Sequence, residues 1–212
     1  WMVFGHKPAA VTVLQGIRDR LPQANVTYAP GPAIRRDIPS MFEDFFPETK
    51  KPVQPPEEAE AAFQAAVETA RSAELVILVL GENADMAGEA ASRGSLDLPG
   101  RQEELLKAVV ALGKPVVLVL LNGRPLSIHW AAEHVPAILE AWEPGSEGGS
   151  AVAGVLFGDV NPGGKLPVTF PRSGAHAPLY YARTRSHQPE DSSMYRSRYW
   201  DSPTTPLYPF GY

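Results

Sequence analysis

Two uninterrupted apolar runs dominate the hydrophobic pattern of the chain. They are "ELVILVLG" (74–81) and "PVVLVLLNG" (115–123). Neither run alternates apolar with polar positions, which is typical of strands that are covered on both faces of a sheet. A shorter run, "PAILEAW" (136–142), predicts a third strand.

Segments with helical patterns alternate with these strands. "PPEEAEAAFQAAVETARSA" (55–73) has prolines and acids at its start and Arg71 at its end, which favours a helix. Further helices are predicted at 8–21, 100–114, about 127–134 and 147–159, and further strands at 24–31 and 163–171. This alternation predicts a three-layer α/β/α sandwich with a largely parallel sheet, but it does not give the order of the strands.

The pattern also divides the chain into regions. Residues 1–172 are expected to form the sandwich domain, with 32–56 as an ordered, proline-rich loop because it contains three phenylalanines, at positions 42, 45 and 46. Residues 173–212 are expected to be an irregular extension that packs on the rest of the protein and leads to a following domain. The opening "WMVFG" does not resemble a natural beginning, so the chain is expected to be a fragment or an excised domain.

Composition excludes several classes of function. The net charge is −5 and the basic residues are dispersed, so no basic stripe for nucleic acid is visible. The absence of cysteine excludes disulfides and thiolate metal sites. No apolar run approaches the ~20 residues of a membrane helix, and the first ten residues lack the features of a signal peptide.

Candidate chemistry is concentrated in "GENADMAGEAASRGSLDLPG" (81–100), a long loop at the carboxyl end of the first strong strand. Ligands of open parallel sheets bind at this edge. The charged residues of the loop are Glu82, Asp85, Glu89, Arg93 and Asp97. Its acids could serve as a general acid and base, or they could cap turns and brace the loop through ion pairs.

Two further segments reach the same edge. "EPGSEGG" (143–149) could cradle a phosphate, but it lacks the spacing of known phosphate loops, and its two glutamates would repel an anion, so helix capping with close backbone packing is favoured. Arg124 in "NGRP" could contact a ligand or form an ion pair. His129 and His134 have no convincing partners for a metal, and no metal or other cofactor is expected.

Several motifs together resemble a known family. They are "VLGEN", "GEAASRGSLDLPGRQEELLKAV", "GKPVVLVLLNGRPL" and "PAILEAWEPGSEGGSAVAGVLFGDVNPGGKLPVTFPRS", and they cover roughly 74–172, with the closing "YPFGY" in agreement. The chain resembles the second domain of glycoside hydrolase family 3, of the bacterial periplasmic β-glucosidase type. The resemblance implies a six-stranded, mostly parallel sheet with one antiparallel strand, for which "KLPVTF" (165–170) is the candidate. The first strand of this sheet could lie outside the chain.

The resemblance also implies a function. Family members are retaining, exo-acting β-glycosidases that remove terminal β-D-glycosyl residues, with an aspartate nucleophile on a preceding (β/α)8 barrel. The acid/base residue would lie on the 81–100 loop, where Glu89 matches the family's pattern; Arg93 would hold the loop, and both Ser92 and Arg93 would face the sugar. Glu82, at the strand end, is expected to brace the loop.

The expected partners are a β-linked glucoside or oligosaccharide and the barrel domain of the same enzyme, without nucleic acid or membrane. A periplasmic or secreted location is expected, and a homodimer is compatible with the family. This chain alone is expected to be inactive. The alternative hypothesis is a non-catalytic carbohydrate-binding or scaffold module.

Overall fold

The computed structural model describes residues 7–39, 43, 45–47, 50, 52–182 and 199–212. Phe42, one of the aromatic residues of the predicted proline-rich loop, lies outside this description. Within that loop Phe45 and Phe46 are exposed.

Five helices and three strands are described, in the order α1, α2, β1, α3, β2, α4, β3 and α5. Their bounds are Val13–Arg20 (α1), Pro56–Ser72 (α2), Val76–Gly81 (β1), Gln102–Val110 (α3), Val116–Leu121 (β2), His129–His134 (α4), Ala137–Glu140 (β3) and Gly148–Leu156 (α5). Short 3₁₀ turns occur at Lys7–Ala9, Ala84–Met86 and Gly174–His176.

The three strands form one parallel sheet in the order β1-β2-β3. β1 pairs with β2 from Val76 opposite Val116 to Gly81 opposite Leu121, and β2 pairs with β3 in the same direction. Because the strands are parallel, their carboxyl ends meet at one edge of the sheet. The two apolar runs and "PAILEAW" are therefore strands, as the sequence predicts, and the structure adds that they are neighbours in the sheet.

Alternate residues of β2 point to opposite faces of the sheet, and both faces are covered. Leu118 and Leu120 are fully buried in a core cluster that includes residues of α2, α3 and α4. Val119 is fully buried in a second cluster with Ile17 of α1 and Val152 of α5. Each such side chain contributes about 1.5–3 kcal/mol by leaving water. Helices on both faces of a parallel sheet confirm the predicted α/β/α sandwich.

Helices α1 and α5 approach each other so closely that their contact is between backbones. A Cβ on Gly149 would lie 2.1 Å from the carbonyl oxygen of Thr12, and one on Gly16 would lie 2.2 Å from that of Gly149. The Gly149 N–H donates to the Val11 carbonyl oxygen at 3.0 Å. The glycine-rich start of α5 therefore has the close-packing role that its sequence favours, and no side chain caps this helix.

Two predicted strands are absent from the described sheet. Residues 24–31 have no strand pairing, and 163–171 contains only an isolated antiparallel bridge between Phe170 and Tyr208. The bridge has the expected antiparallel direction, but Pro167 and Pro209 lack N–H groups and interrupt a regular ladder. The described sheet thus has three strands rather than the six that the family resemblance implies.

The last residues of the chain return to the sandwich. Leu207 and Phe170 are joined by a backbone hydrogen bond of 2.9 Å, and the Gly211 N–H donates to the Leu166 carbonyl oxygen at 2.8 Å. Leu207 and Tyr208 pack against the core cluster that contains Phe170. Within 173–212, Leu207 and Tyr208 are thus packed on the sandwich as expected, whereas Tyr180, Tyr181 and Trp200 are exposed.

Candidate active site

The loop between β1 and α3 is closed at its base by one buried side chain. Gln102 accepts a hydrogen bond from the Gly81 N–H at 2.8 Å and donates to the Gly81 carbonyl oxygen at 2.7 Å. Gly81 has φ +140°, and a Cβ there would lie 1.9 Å from the carbonyl oxygen of Leu121, so only glycine fits between the strands. The first residue of α3 thereby fixes where the loop leaves the sheet.

Glu82 is the buried centre of the loop. Its side chain is 1% exposed, and its Oε1 lies 2.8 Å from Nη1 of Arg93 and 2.9 Å from Nε of Arg124. The Gly123 N–H donates to Oε2 at 3.3 Å. Two guanidinium groups and a backbone donor compensate the carboxylate for lost hydration, which a buried charge requires. Glu82 therefore braces the loop, as its place at the strand end predicts.

The same two arginines also hold the loop by its backbone. Nη2 of Arg93 donates to the Asp97 carbonyl oxygen at 2.8 Å, and Nη2 of Arg124 donates to that of Ala91 at 2.9 Å. Arg124 also donates to the carbonyl oxygen of Met86. Of the two roles open to Arg124, the structure shows the ion pair.

A second set of contacts comes from residues 34–36, which are far from the loop in sequence. The Asn83 side chain donates to the Ile34 carbonyl oxygen at 2.7 Å. Arg36 donates through Nη1 to the Asp85 carbonyl oxygen and through Nη2 to that of Ala90, both at 3.0 Å. Sequence reasoning missed Arg36, because no spacing rule connects a basic residue of a proline-rich loop with a turn about fifty positions later.

Glu89 lies in the turn of this loop that is exposed to solvent. Gly88 before it and Ala90 after it have positive φ, +100° and +55°. Glu89 and Ser92 are both exposed, and Arg93 is partly buried. Within the described part of the chain the Glu89 carboxylate makes no hydrogen bond or ion pair. The predicted site residues thus share one loop, with Arg93 directed inward to Glu82 and Asp97.

A further carboxyl, which sequence reasoning also missed, lies at the end of β3. Burial is the main cause that raises the pKa of Glu140 to about 7, against hydrogen bonds from the Trp142 N–H and the Asn122 side chain. These bonds measure 3.0 Å and 3.4 Å. The only sequence signal was an acid in an otherwise apolar strand, two positions after Ile138 and hence on the same face.

The two helical histidines do not converge on one site. His129 pairs with Glu133 at 3.4 Å, whereas the His134 ring stacks on Trp130 with the centroids 4.2 Å apart. No group of three or more His, Cys, Asp or Glu is placed to hold a metal ion among the residues that the structure describes. In the same part of the chain, no helix combines the length and the apolar composition needed to span a membrane.

Comparison with known proteins assigns this sandwich and its loop to the C-terminal domains of a group of glycoside hydrolases. The family model described as glycosyl hydrolase family 3 C-terminal domain matches residues 1–212. The chain therefore belongs to the glycosyl hydrolase family 3 C-terminal domain family.

Individual relatives agree. The chain is 43% identical to a periplasmic β-glucosidase of Salmonella typhimurium, with 100% of this chain aligned to 28% of that protein. It is 39% identical to a β-xylosidase of Formosa agariphila, with 98% aligned to 25% of that relative. The chain thus spans about a quarter of the length of these relatives.

Solved structures lead to the same family. A β-glucosidase from Listeria innocua in complex with isofagomine superposes with a TM-score of 0.81 at 33% identity, over all of this chain and 27% of that one. A β-glucosidase from Erythrobacter marinus superposes with a TM-score of 0.79 at 38% identity, over 96% of this chain and 27% of that one. The sandwich fold is therefore shared by chains that are much longer than this one.

Proposed function

We propose that this chain is the acid/base domain of a retaining, exo-acting β-glycosidase of the β-glucosidase type, and that Glu89 is its acid/base residue. The observation that carries the proposal is the placement of Glu89. It is an exposed carboxyl on a loop whose backbone is fixed from several sides at the carboxyl edge of a parallel sheet. A group that must reach a substrate yet keep its position needs this combination.

The chemistry assigned to Glu89 has two steps. In the first, a carboxylate nucleophile attacks the anomeric carbon while Glu89 donates its proton to the departing glycosidic oxygen. In the second, Glu89 takes a proton from water, which displaces the nucleophile from the glycosyl-enzyme and regenerates both carboxyl groups. Retaining enzymes hold these two groups about 5–5.5 Å apart.

The nucleophile is proposed to be an aspartate on a (β/α)8 barrel of the same enzyme. Glu82 is a poor candidate for either catalytic role, since its side chain is 1% exposed and is occupied by Arg93 and Arg124. The fact that the chain spans 28% and 25% of two curated relatives supports a longer protein. The isolated chain is accordingly proposed to be inactive.

The remaining assignments follow from the same loop. Ser92 is exposed three residues after Glu89 and is proposed to contact the terminal sugar. Arg93 is proposed to line the sugar cleft while it holds the loop through Glu82 and Asp97. The substrate would be a β-linked glucoside or oligosaccharide, and the periplasmic relative supports a periplasmic or secreted location. Assembly into a homodimer is compatible with this proposal.

The proposal is tested in the full-length enzyme with two glucosides whose leaving groups differ in basicity. In Glu89→Ala, kcat/KM should fall by about 10²–10⁴-fold for a poor leaving group such as an alkyl alcohol, because it needs protonation. For 2,4-dinitrophenolate, which leaves without a proton, kcat/KM should change far less. Azide should partly restore turnover of the dinitrophenyl substrate by attacking the glycosyl-enzyme in place of activated water.

The matched control is Glu143→Ala, which removes another exposed acid at the same edge and should leave the ratio between the two substrates unchanged. Equal losses on both substrates in Glu89→Ala, without azide rescue, would assign the acid/base role to another residue. Unchanged turnover, together with sugar binding by the domain, would favour the scaffold alternative.

A further inference from the structure

Residues 34–36 contact the loop of residues 81–100 that carries Glu89 (the Glu89 loop), although the proposed chemistry uses none of them. Arg36 is partly buried, and its two terminal nitrogens donate to two carbonyl oxygens of the loop at 3.0 Å each. The neighbouring Ile34 carbonyl accepts from Asn83 at 2.7 Å. These bonds join two parts of the chain that are about fifty residues apart.

The two acceptors of Arg36 lie on opposite sides of Glu89. Asp85 precedes Glu89, and Ala90 follows it directly. The guanidinium group is planar and presents its donors in a rigid fork, so one side chain fixes the separation of the two carbonyls. The backbone on either side of the proposed proton donor is therefore connected through a single residue.

The conformation that Arg36 holds is one that the loop would not readily keep alone. Ala90 has φ +55°, and a residue with a Cβ in the left-handed region costs of order 1–2 kcal/mol. Because the Glu89 carboxylate has no hydrogen-bond partner among the described residues, its position depends on this backbone. Arg124 also holds the Met86 and Ala91 carbonyl oxygens, so loss of the Arg36 contacts would leave the turn around Glu89 held by one guanidinium group instead of two.

We infer that Arg36 is a positioning residue for proton transfer: it clamps the Asp85 and Ala90 carbonyls and so holds the Glu89 turn. The inference rests on the proposed function of Glu89. Arg36 itself touches no substrate. A misplacement of about 1 Å in a reacting group can cost on the order of 10²-fold in rate, so the loss of such a clamp should be measurable as lost acid catalysis.

The experiment compares Arg36→Met with Arg35→Met in the full-length enzyme, using the alkyl and dinitrophenyl glucosides. Methionine keeps an apolar stem but removes all donors. Arg35 is adjacent and exposed, and makes no hydrogen bond to another residue in the described ranges, so it is a matched control. Arg36→Met should lower kcat/KM for the alkyl glucoside about 10-fold or more, with less than about 3-fold change for the dinitrophenyl glucoside. Arg35→Met should change neither.

Two further variants separate positioning from a merely structural role. Arg36→Lys offers one compact ammonium in place of a fork, so it should restore only part of the activity on the alkyl glucoside. The double variant Glu89→Ala with Arg36→Met should be no slower on that substrate than Glu89→Ala alone. Arg36 acts by positioning the Glu89 carboxyl, which the double variant no longer has. The ratio between the two substrates does not depend on how much of a preparation is folded.

The outcomes distinguish this inference from the proposed function. If Glu89→Ala is selective for the poor leaving group but Arg36→Met is neutral, or slows both substrates equally, the positioning role is wrong and the acid/base assignment stands. If Glu89→Ala is not selective, the acid/base assignment fails and the role of Arg36 fails with it. Additive losses in the double variant would also overturn the positioning role.

Discussion

Two glutamates at the carboxyl edge of the sheet, Glu82 and Glu140, are withdrawn from water, but they differ in their hydrogen-bond and ion-pair partners. Glu82 meets two guanidinium groups, at 2.8 Å and 2.9 Å. Glu140 receives only neutral donors, from the Trp142 N–H and the Asn122 amide. Without an opposite charge, burial dominates, and it raises the pKa of Glu140 to about 7.

Glu140 should therefore make the stability of the protein depend on pH. The carboxyl ionises near pH 4.5 in the unfolded chain but near pH 7 in the folded one. Between these pH values the folded protein binds more protons than the unfolded chain. The contribution of the Glu140 carboxyl to the free energy of unfolding is therefore favourable at low pH and is lost as the pH rises. Glu140→Gln should raise the free energy of unfolding at pH 8 by about 3 kcal/mol relative to the parent, with much less gain at pH 4.5.

Urea denaturation of both proteins from pH 4.5 to 8 measures this difference. A difference that is the same at every pH would contradict the shifted pKa. The difference in the free energy of unfolding between the two proteins should have half its full size at a pH between the two pKa values.

At the residue scale, sequence reasoning found what has a local signature. The run of charged residues behind a buried strand identified the loop, and the family pattern selected Glu89 within it as the acid/base candidate, which stays a prediction. Arg36 and Glu140 had no such signature, because their roles depend on contacts that only the folded chain creates. Arg124 was recognised as a candidate, but the sequence could not decide whether it contacts a ligand or forms an ion pair. The structure was needed to show the ion pair with Glu82.

At the scale of secondary-structure elements, the α1–α5 contact has no room for side chains. The Gly149 position shows this most directly, with the Thr12 carbonyl oxygen 2.1 Å from where a Cβ would stand. Gly154 lies in the same helix, and the nearest atom to its Cβ position is a methyl carbon of Val160 at 3.6 Å. The two glycines therefore separate the effect of packing from that of helix propensity.

Gly149→Ala should destabilise the protein by about 1–3 kcal/mol, since the added methyl group must push the helices apart. Gly154→Ala should stabilise it by up to about 1 kcal/mol, because alanine is the better helix former and the space is open. Thermal unfolding monitored by circular dichroism measures both. A stabilising Gly149→Ala would show that α1 moves away from α5 at little cost.

The elements that sequence predicted well are those with a strong internal pattern. β1 and β2 are continuous apolar runs, and α2 combines acids in its first turn with alanine. The predicted helix at 8–21 begins at Val13, where the Thr12 hydroxyl accepts from the Gln15 N–H at 3.1 Å. The segments at 24–31 and 163–171 were predicted as strands from residue type alone, but a strand also needs a paired neighbour, which a local pattern does not contain.

At the scale of the whole molecule, the proposed function assigns to the described chain one half of a glycosidase site. Glu89 is presented outward, Glu82 and Glu140 are withdrawn from solvent, and Asp85 and Asp97 share the loop with Glu89; the proposed function uses none of them as the nucleophile. A retaining mechanism needs a second carboxyl about 5–5.5 Å from the acid/base group. The proposed function therefore requires surface from another domain.

The purified 212-residue chain should not hydrolyse aryl β-glucosides. The full-length enzyme, assayed under the same conditions, is the positive control. Turnover by the isolated chain that Glu89→Gln abolishes would show that the chain carries its own nucleophile. Turnover that survives Glu89→Gln would point to a contaminating enzyme.

The arginines that fix the Glu89 loop donate to main-chain oxygens at five positions, namely Asp85, Met86, Ala90, Ala91 and Asp97. A carbonyl is present whatever side chain the residue carries, so these anchors are indifferent to most substitutions within the loop. The loop residues with positive φ, namely Gly81, Gly88, Ala90 and Gly100, are the ones restricted by conformation. If Glu89 acts as proposed, evolution or a designer can therefore exchange the outward-facing side chains to alter which aglycones are accepted, while the backbone contacts that hold the proposed proton donor are kept.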